Sequence, residues 1–392
     1  MFRHVSQVGE DYSLKDFLAA GQGIITDPEP ELAQELSRYL TLANIFLVNS
    51  GLAAFQLILK ALKELSEKKE VILPAYTAPA LVPIILSCGL RPVLCDINLE
   101  DFNIDLAQLP QAVSTNTLCI LPTYLFGLGI RGVQDLKKKY PDIYIIEDCA
   151  QSLGTSIGGK QAGSYSDISF FSFNRGKNLP TYGGGFIATN SDSLAQLLKE
   201  KTGTLPRAGF LSRMFLSFKM VLFALAVRPG LHYWGYPFIS FFKERPVTPE
   251  LKITRYTRFQ AGMARSLLHR AEELAQQRYQ KGMKLINELK ACTGLTVPGI
   301  PANIIPAFSR IPILFKDIAA KEEARKLLAR AGIDTSYMYG KPLHQIFSLG
   351  YGPADFSQAV YCAERILTLP VHSLVRENDI ITMVRVIKEV VA

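Results

Sequence analysis

Apolar and polar positions follow two rhythms along this chain, and their order sorts it into strands and helices. Between residues 45 and 190, short apolar runs at 45–48, 117–122, 143–146, 168–173 and 185–189 have the length of buried strands. Residues 71–96 read as strand, loop, helix and strand, and 52–62 as an apolar helix opened by Asn49, Ser50 and Gly51. Strands alternating with helices imply a mostly parallel sheet flanked by helices. Ahead of it, residues 14–40 carry a helical pattern interrupted at glycines 21–23 and prolines 28–30, with a helix over 31–39. From Thr254 onward, apolar residues at three- and four-residue steps predict one long amphipathic helix, on which Arg278 reads as a solvated charge. Beyond about residue 290 come a strand-like run at 308–314, a helix at 319–331 and a closing helix.

The polar residues at the strand ends change the picture. Parallel sheets put ligands outside the carboxyl ends of their strands. Asp148 and Gln151 follow one run, Ser172 closes the next, and Lys177 stands in a short loop before Gly183, Gly184 and Gly185. A buried lysine forms a Schiff base with a carbonyl, and pyridoxal phosphate is held this way, with an acid on its ring nitrogen. Asp148 is placed for that acid, Gln151 for the ring hydroxyl and Ser172 for the phosphate. Singly, these residues also fit a surface lysine in a glycine-rich turn and a helix-capping aspartate. In this order they favour the cofactor. The Ser50-Gly51 turn entering a helix presents backbone N–H groups and a positive dipole end, which suit a phosphate.

The run Glu147-Asp148-Cys149-Ala150-Gln151, followed by Ser172-Phe173-Asn174-Arg175-Gly176-Lys177-Asn178 and the glycines, resembles the DegT/DnrJ/StrS family of sugar aminotransferases. The resemblance implies fold type I: a large domain over 1–250, with an apolar and aromatic insertion at about 205–246, and a small C-terminal domain over 251–392. It implies pyridoxal phosphate as cofactor, Lys177 as the Schiff-base lysine, and Asp148, Gln151 and Ser172 as its contacts. Backbone amides of Gly51, Leu52 and Ala53 are implied at the phosphate, although Leu52 stands where the family has threonine. Ala78 stands where the family has an aromatic ring over the cofactor. Tyr76 is the substitute two positions earlier, or a buried tyrosine with a backbone partner. Arg255, Gln260 and Ala261 match a later segment, and Ile253 replaces its asparagine. A homodimer is also implied.

Charge and cysteine usage narrow the class. The chain has 392 residues, 48% of them hydrophobic, with a formal charge of +8 spread along it. That balance suits anionic small molecules or a membrane surface rather than nucleic acid. Six cysteines without a C-x-x-C pair read as reduced core residues. The N-terminal MFRHVSQVGEDYSLKDF holds no apolar core of a secretion signal, so a cytoplasmic protein is expected. His344 and His372 lack neighbours at metal-ligand spacing, so no metal is expected and both read as structural. Residues 214–227 form an apolar helix too short to span a bilayer, with Arg207, Arg213, Lys219 and Arg228 around it. Behind it come Tyr233, Trp234, Tyr236, Phe238, Phe241 and Phe242. This insertion reads as a peripheral contact at the inner face of a membrane, a subunit interface or a cover over the site.

The resemblance implies transfer of an amino group from an amino acid, expected to be glutamate, to a nucleotide-linked keto sugar, for amino sugars of surface polysaccharide. A cyclitol ketone as acceptor, and a non-catalytic pyridoxal-phosphate protein attached to a membrane assembly, are the alternatives.

Overall fold

The computed structural model describes residues 3–233 and 251–392. Seven strands form the main sheet: β1 (Asn44–Val48), β2 (Glu70–Pro74), β3 (Arg91–Cys95), β4 (Thr117–Ile120), β5 (Tyr144–Asp148), β8 (Ile168–Ser172) and β9 (Gly185–Thr189). Two short strands, β6 (Ser156–Ile157) and β7 (Lys160–Gln161), lie between β5 and β8 and belong to a separate sheet. The order across the main sheet is β1-β9-β8-β5-β4-β2-β3. Only β9 runs against the others. The sheet is therefore mixed but mostly parallel, as the alternation of strands and helices predicts.

The strands read as unbroken apolar runs because both faces are covered. Along β2, Val71 and Leu73 face one core while Ile72 faces the other. The first core holds the helix Gly51–Leu65, whose Phe55 ring lies 5.3 Å from Phe170. The second holds the helices Glu29–Leu40 and Arg258–Leu268.

Gly21 and Gly23 do not interrupt a helix. Residues Leu14–Thr26 form one helix, capped by Ser13, and Glu29–Leu40 form the next. Gly23 is where Arg258–Leu268 crosses: a Cβ on Gly262 would lie 2.4 Å from the Ala19 carbonyl oxygen. Here glycine permits close approach rather than breaking the helix. The long helix predicted from Thr254 is two, Arg258–Leu268 and Ala271–Leu289, divided at His269 and Arg270. Arg278 is not solvated. It is 3% exposed and pairs with the equally buried Glu10 at 2.9 Å.

The C-terminal part carries the antiparallel sheet of β10 (Leu295–Thr296), β12 (Ile311–Phe315) and β13 (Ile366–Leu369). Between them in the chain, β11 (Ile304–Ile305) pairs with β6. The helices Ile318–Arg330 and Glu377–Val391 pack together in this part. Asp96, beyond the end of β3, joins the two parts: its carboxylate accepts the N–H groups of Gln358 (3.0 Å) and Ala359 (2.8 Å) and so caps the helix Ser357–Arg365. Both histidines read as structural have backbone partners, His372 at Ser6 (2.8 Å) and His344 at Pro353 (3.4 Å). The six cysteines are free thiols, five of them buried.

The apolar insertion forms the helix Phe210–Ala226. Trp234, Tyr236, Phe238, Phe241 and Phe242 lie outside the described residues. Among the described residues, no helix is long and apolar enough to cross a membrane.

Candidate active site

Strand order brings the predicted residues to one edge of the sheet. The parallel strands β5 and β8 end side by side, with Asp148 opposite Phe170. The antiparallel β9 begins at the same edge, so Gly185 faces Ser172 on one side and Val48 on the other. The helix Gly51–Leu65 starts just beyond.

Asp148 is fixed through its backbone: its N–H donates to the Pro122 carbonyl at 2.9 Å, and its carbonyl accepts from Tyr124 N–H at 3.0 Å. Its carboxylate accepts the Ala150 N–H at 3.0 Å. Burial raises the carboxyl to about 6, against that hydrogen bond and the charge of Lys177. The preceding Glu147 points the other way, as alternation along a strand requires. It is buried and accepts from Gly163 N–H (2.9 Å), Tyr165 N–H (2.8 Å) and the Tyr124 hydroxyl, a structural anchor for the turn after β7.

Lys177 sits in the loop from β8 to β9. Burial lowers its amine to about 8; Asp148 opposes the shift and Arg310 adds to it. The loop is pinned on several sides. Asn178 donates to the carbonyls of Leu153 (2.8 Å) and Ala307 (2.7 Å), and Gln260 to that of Thr181 (3.1 Å). Thr181 also shares a hydrogen bond with Tyr256 at 2.5 Å. Gly185 closes the loop where β9 meets the helix: a Cβ there would lie 2.5 Å from the Phe171 oxygen and 2.6 Å from the Gly51 nitrogen. No side chain fits.

Gln151 is buried, and its Oε1 accepts from Phe126 N–H (3.3 Å) and from the Ser309 hydroxyl (3.2 Å). These two bonds engage Oε1 and leave the Nε2 donor to other partners. Phe126 itself adopts φ +62, a strained conformation for a bulky residue. Ser172 accepts the Asn174 N–H at 3.3 Å and lies against Gly51, where an added Cβ would meet Ser172 Oγ at 3.4 Å.

Two of the expected contacts already have partners within the chain. The Ala53 N–H already donates to the capping Ser50 hydroxyl at 3.0 Å, so only Gly51 and Leu52 of the first turn remain beside Ser172. Tyr76 is fully buried, in keeping with the second of its two readings, a buried tyrosine with a backbone partner. Its hydroxyl donates to the Tyr337 carbonyl (3.2 Å) and accepts the Tyr339 N–H (3.3 Å), joining the two parts of the chain.

Two residues of the site went unread in the sequence. Ser309 orients Gln151, and Arg310 bears on the Lys177 amine; both precede β12, far along the chain, and no local pattern marks them.

The residues fit pyridoxal phosphate on three grounds. A buried amine at Lys177 and a buried carboxylate at Asp148 act on each other, Gln151 is held through its Oε1 alone, and a side-chain-free cradle lies where Gly185 meets the start of a helix.

Comparison with known proteins agrees. The family model described as DegT/DnrJ/EryC1/StrS aminotransferase matches residues 8–388. The UDP-2-acetamido-2-deoxy-3-oxo-D-glucuronate aminotransferase of Pseudomonas aeruginosa is 26% identical over 92% of this chain and 90% of its own. A GDP-perosamine synthase of Vibrio cholerae is 31% identical over 40% of this chain and 43% of its own length, less than half of that relative. Among solved structures, Helicobacter pylori PseC, an aminotransferase involved in pseudoaminic acid biosynthesis, superposes with a TM-score of 0.80 at 19% identity, covering 99% of each chain. That likeness speaks for the fold. With nearly its whole length matched, the chain belongs to the DegT/DnrJ/EryC1/StrS aminotransferase family, pyridoxal-phosphate enzymes of fold type I.

Proposed function

We propose that this enzyme moves the amino group of glutamate to the keto group of a nucleotide-linked sugar, for amino sugars of a surface polysaccharide. The observation that carries the chemistry is the Lys177 amine, lowered to about 8 beside the Asp148 carboxylate. The acceptor class is supported by the relatives, which are named for UDP- and GDP-linked sugars. The formal charge of +8 suits a diphosphate.

In this reading Lys177 Nζ holds the cofactor, Asp148 stands at its ring nitrogen, and Gln151 Nε2 donates to its ring hydroxyl. Ser172 and the first-turn amides of Gly51 and Leu52 receive its phosphate. Pyridoxal phosphate supplies a carbonyl that accepts the amine and a ring that takes up electrons. Once displaced by the donor's amine, Lys177 Nζ takes and returns the protons of the exchange. An amine near pKa 8 keeps a useful neutral fraction at physiological pH. Asp148, ionised above about 6, keeps a cation favoured at the ring nitrogen. Glutamate leaves as its keto acid, and the sugar ketone becomes an amine.

The same reading includes a homodimer. Leu14, Leu18 and Ile25, exposed along one face of the first helix, are apolar surface of the kind a second copy covers.

The test is incubation of the purified protein with pyridoxal phosphate, glutamate and a panel of nucleotide-linked keto sugars, followed by mass spectrometry. An aminated nucleotide sugar is expected. Amination of free cyclitol ketones alone would overturn the acceptor class.

A further inference from the structure

The insertion helix Phe210–Ala226 buries one narrow side against the protein and leaves an apolar face bare. Met220, Ala224 and Val227 are buried on the inner side. The Phe223 ring lies 5.4 Å from that of Tyr182, and past the helix end Arg228 donates to the Tyr12 carbonyl at 3.2 Å. His232 adds a contact to Asp334 at 3.1 Å. The helix is thus fastened along its inner side.

Phe210, Leu211, Met214, Phe215, Phe218 and Leu222 occupy the opposite side. At 3.6 residues per turn they fall within an arc of roughly 140°. Leu211 is 78% exposed and Phe218 62%. Scattered exposed leucines are ordinary, but an arc with three phenylalanines is not.

Charge says what covers it. Between Glu200 and Glu244 the sequence has no acidic residue, while Lys201, Arg207, Arg213, Lys219, Arg228 and Lys243 are basic; of these Lys201 pairs with Glu64 and Arg207 with Asp27. Arg213 and Lys219 lie on the helix itself with no acidic partner among the described residues. Lys219 folds back over the Phe215 ring, with Nζ 4.1 Å from its centroid. A second copy meeting this face about a twofold axis would bring like charges together. An anionic lipid surface meets both demands: acyl chains for the arc and headgroups for the cations. Seventeen residues of helix span only about 25 Å, so the helix lies in the interface rather than crossing it.

We propose that the face of Phe210–Ala226 is a docking surface for an anionic membrane, holding the enzyme at the bilayer through an in-plane helix. The inference does not depend on which sugar the enzyme aminates. It is tested by sedimenting the full-length holoenzyme with vesicles of phosphatidylcholine, alone or in equal parts with phosphatidylglycerol. Pelleting with the anionic vesicles is expected, weaker with the neutral ones, and reduced by salt. Phe215→Ser combined with Phe218→Ser should lower the partition coefficient about tenfold or more. Arg213→Glu with Lys219→Glu, the first exposed and the second partly exposed, should abolish the preference for anionic vesicles. Both variants should keep the visible absorbance of bound cofactor. A wild type that stays in the supernatant with both vesicle types overturns the proposal, as does a serine variant that pellets unchanged. A serine variant that halves the mass by light scattering would assign the face to a second copy and overturn it too.

Discussion

The Asp148 carboxylate and the Lys177 amine hold each other in check: each favours the charged form of the other, while burial opposes both. Burial leaves the carboxyl at about 6 and the amine at about 8. Near neutral pH the acid is therefore mostly ionised and the amine partly free of its proton. The role proposed for Lys177 needs this balance of a partly neutral amine beside a fixed anion.

Asp148→Asn keeps the shape and removes the charge. The variant should still bind pyridoxal phosphate, but its single-turnover rate with glutamate should fall about a hundredfold or more. Stopped-flow absorbance checks both points, and an unchanged rate would remove Asp148 from the chemistry.

The lowered lysine also costs stability. The folded state binds fewer protons than the unfolded chain between pH 8 and the ordinary lysine value of 10.5. Stability contributed by this group therefore rises with pH across that window, and below it the protein carries the cost of a buried ammonium. Lys177→Met should make the cofactor-free protein about 1 kcal/mol more stable at pH 7, after the lost attraction to Asp148 is allowed for. That advantage should shrink from pH 8 to 10. Thermal melts of both proteins across this range read the sign directly.

Gly185→Ala places a methyl group 2.5 Å from the Phe171 oxygen and 2.6 Å from the Gly51 nitrogen. Backbone on two sides must shift, which should cost about 1–3 kcal/mol by overpacking. Because the helix start moves with it, the cofactor's apparent Kd should rise as well, as a fluorescence titration would record.

Arg278 and Glu10 offer a test away from the site. Arg278→Ala leaves the Glu10 carboxylate buried without its partner and should cost about 3–5 kcal/mol in a denaturant melt. Arg278→Met together with Glu10→Leu should recover most of that loss. A single variant as stable as the wild type would mean water reaches Glu10.

Much of the site was legible because it is local. Asp148, Gln151, Ser172 and Lys177 fall within one stretch of alternating strands and loops, and parallel strand ends must share an edge. What the sequence hid depends on partners distant in the chain. Gly23 reads as a break until Arg258–Leu268 crosses it, and Arg278 reads as solvated until Glu10 meets it from 268 residues away. Resemblance implies the Ala53 amide at the phosphate, and only the structure shows that the Ser50 hydroxyl accepts its N–H. Tyr76 carries two readings in the sequence, and its bonds to residues 337 and 339 favour the buried tyrosine with a backbone partner. Ser309 and Arg310 carry no motif; only the docking of the C-terminal part brings them to Gln151 and Lys177.

The most direct test is the absorbance spectrum of the protein with pyridoxal phosphate, before and after glutamate, beside that of Lys177→Ala. The account predicts a visible band in the wild type that moves to shorter wavelength on adding glutamate, and no such band in the variant. A wild type without the band after cofactor is supplied, or a variant that keeps it, would contradict the role given to Lys177.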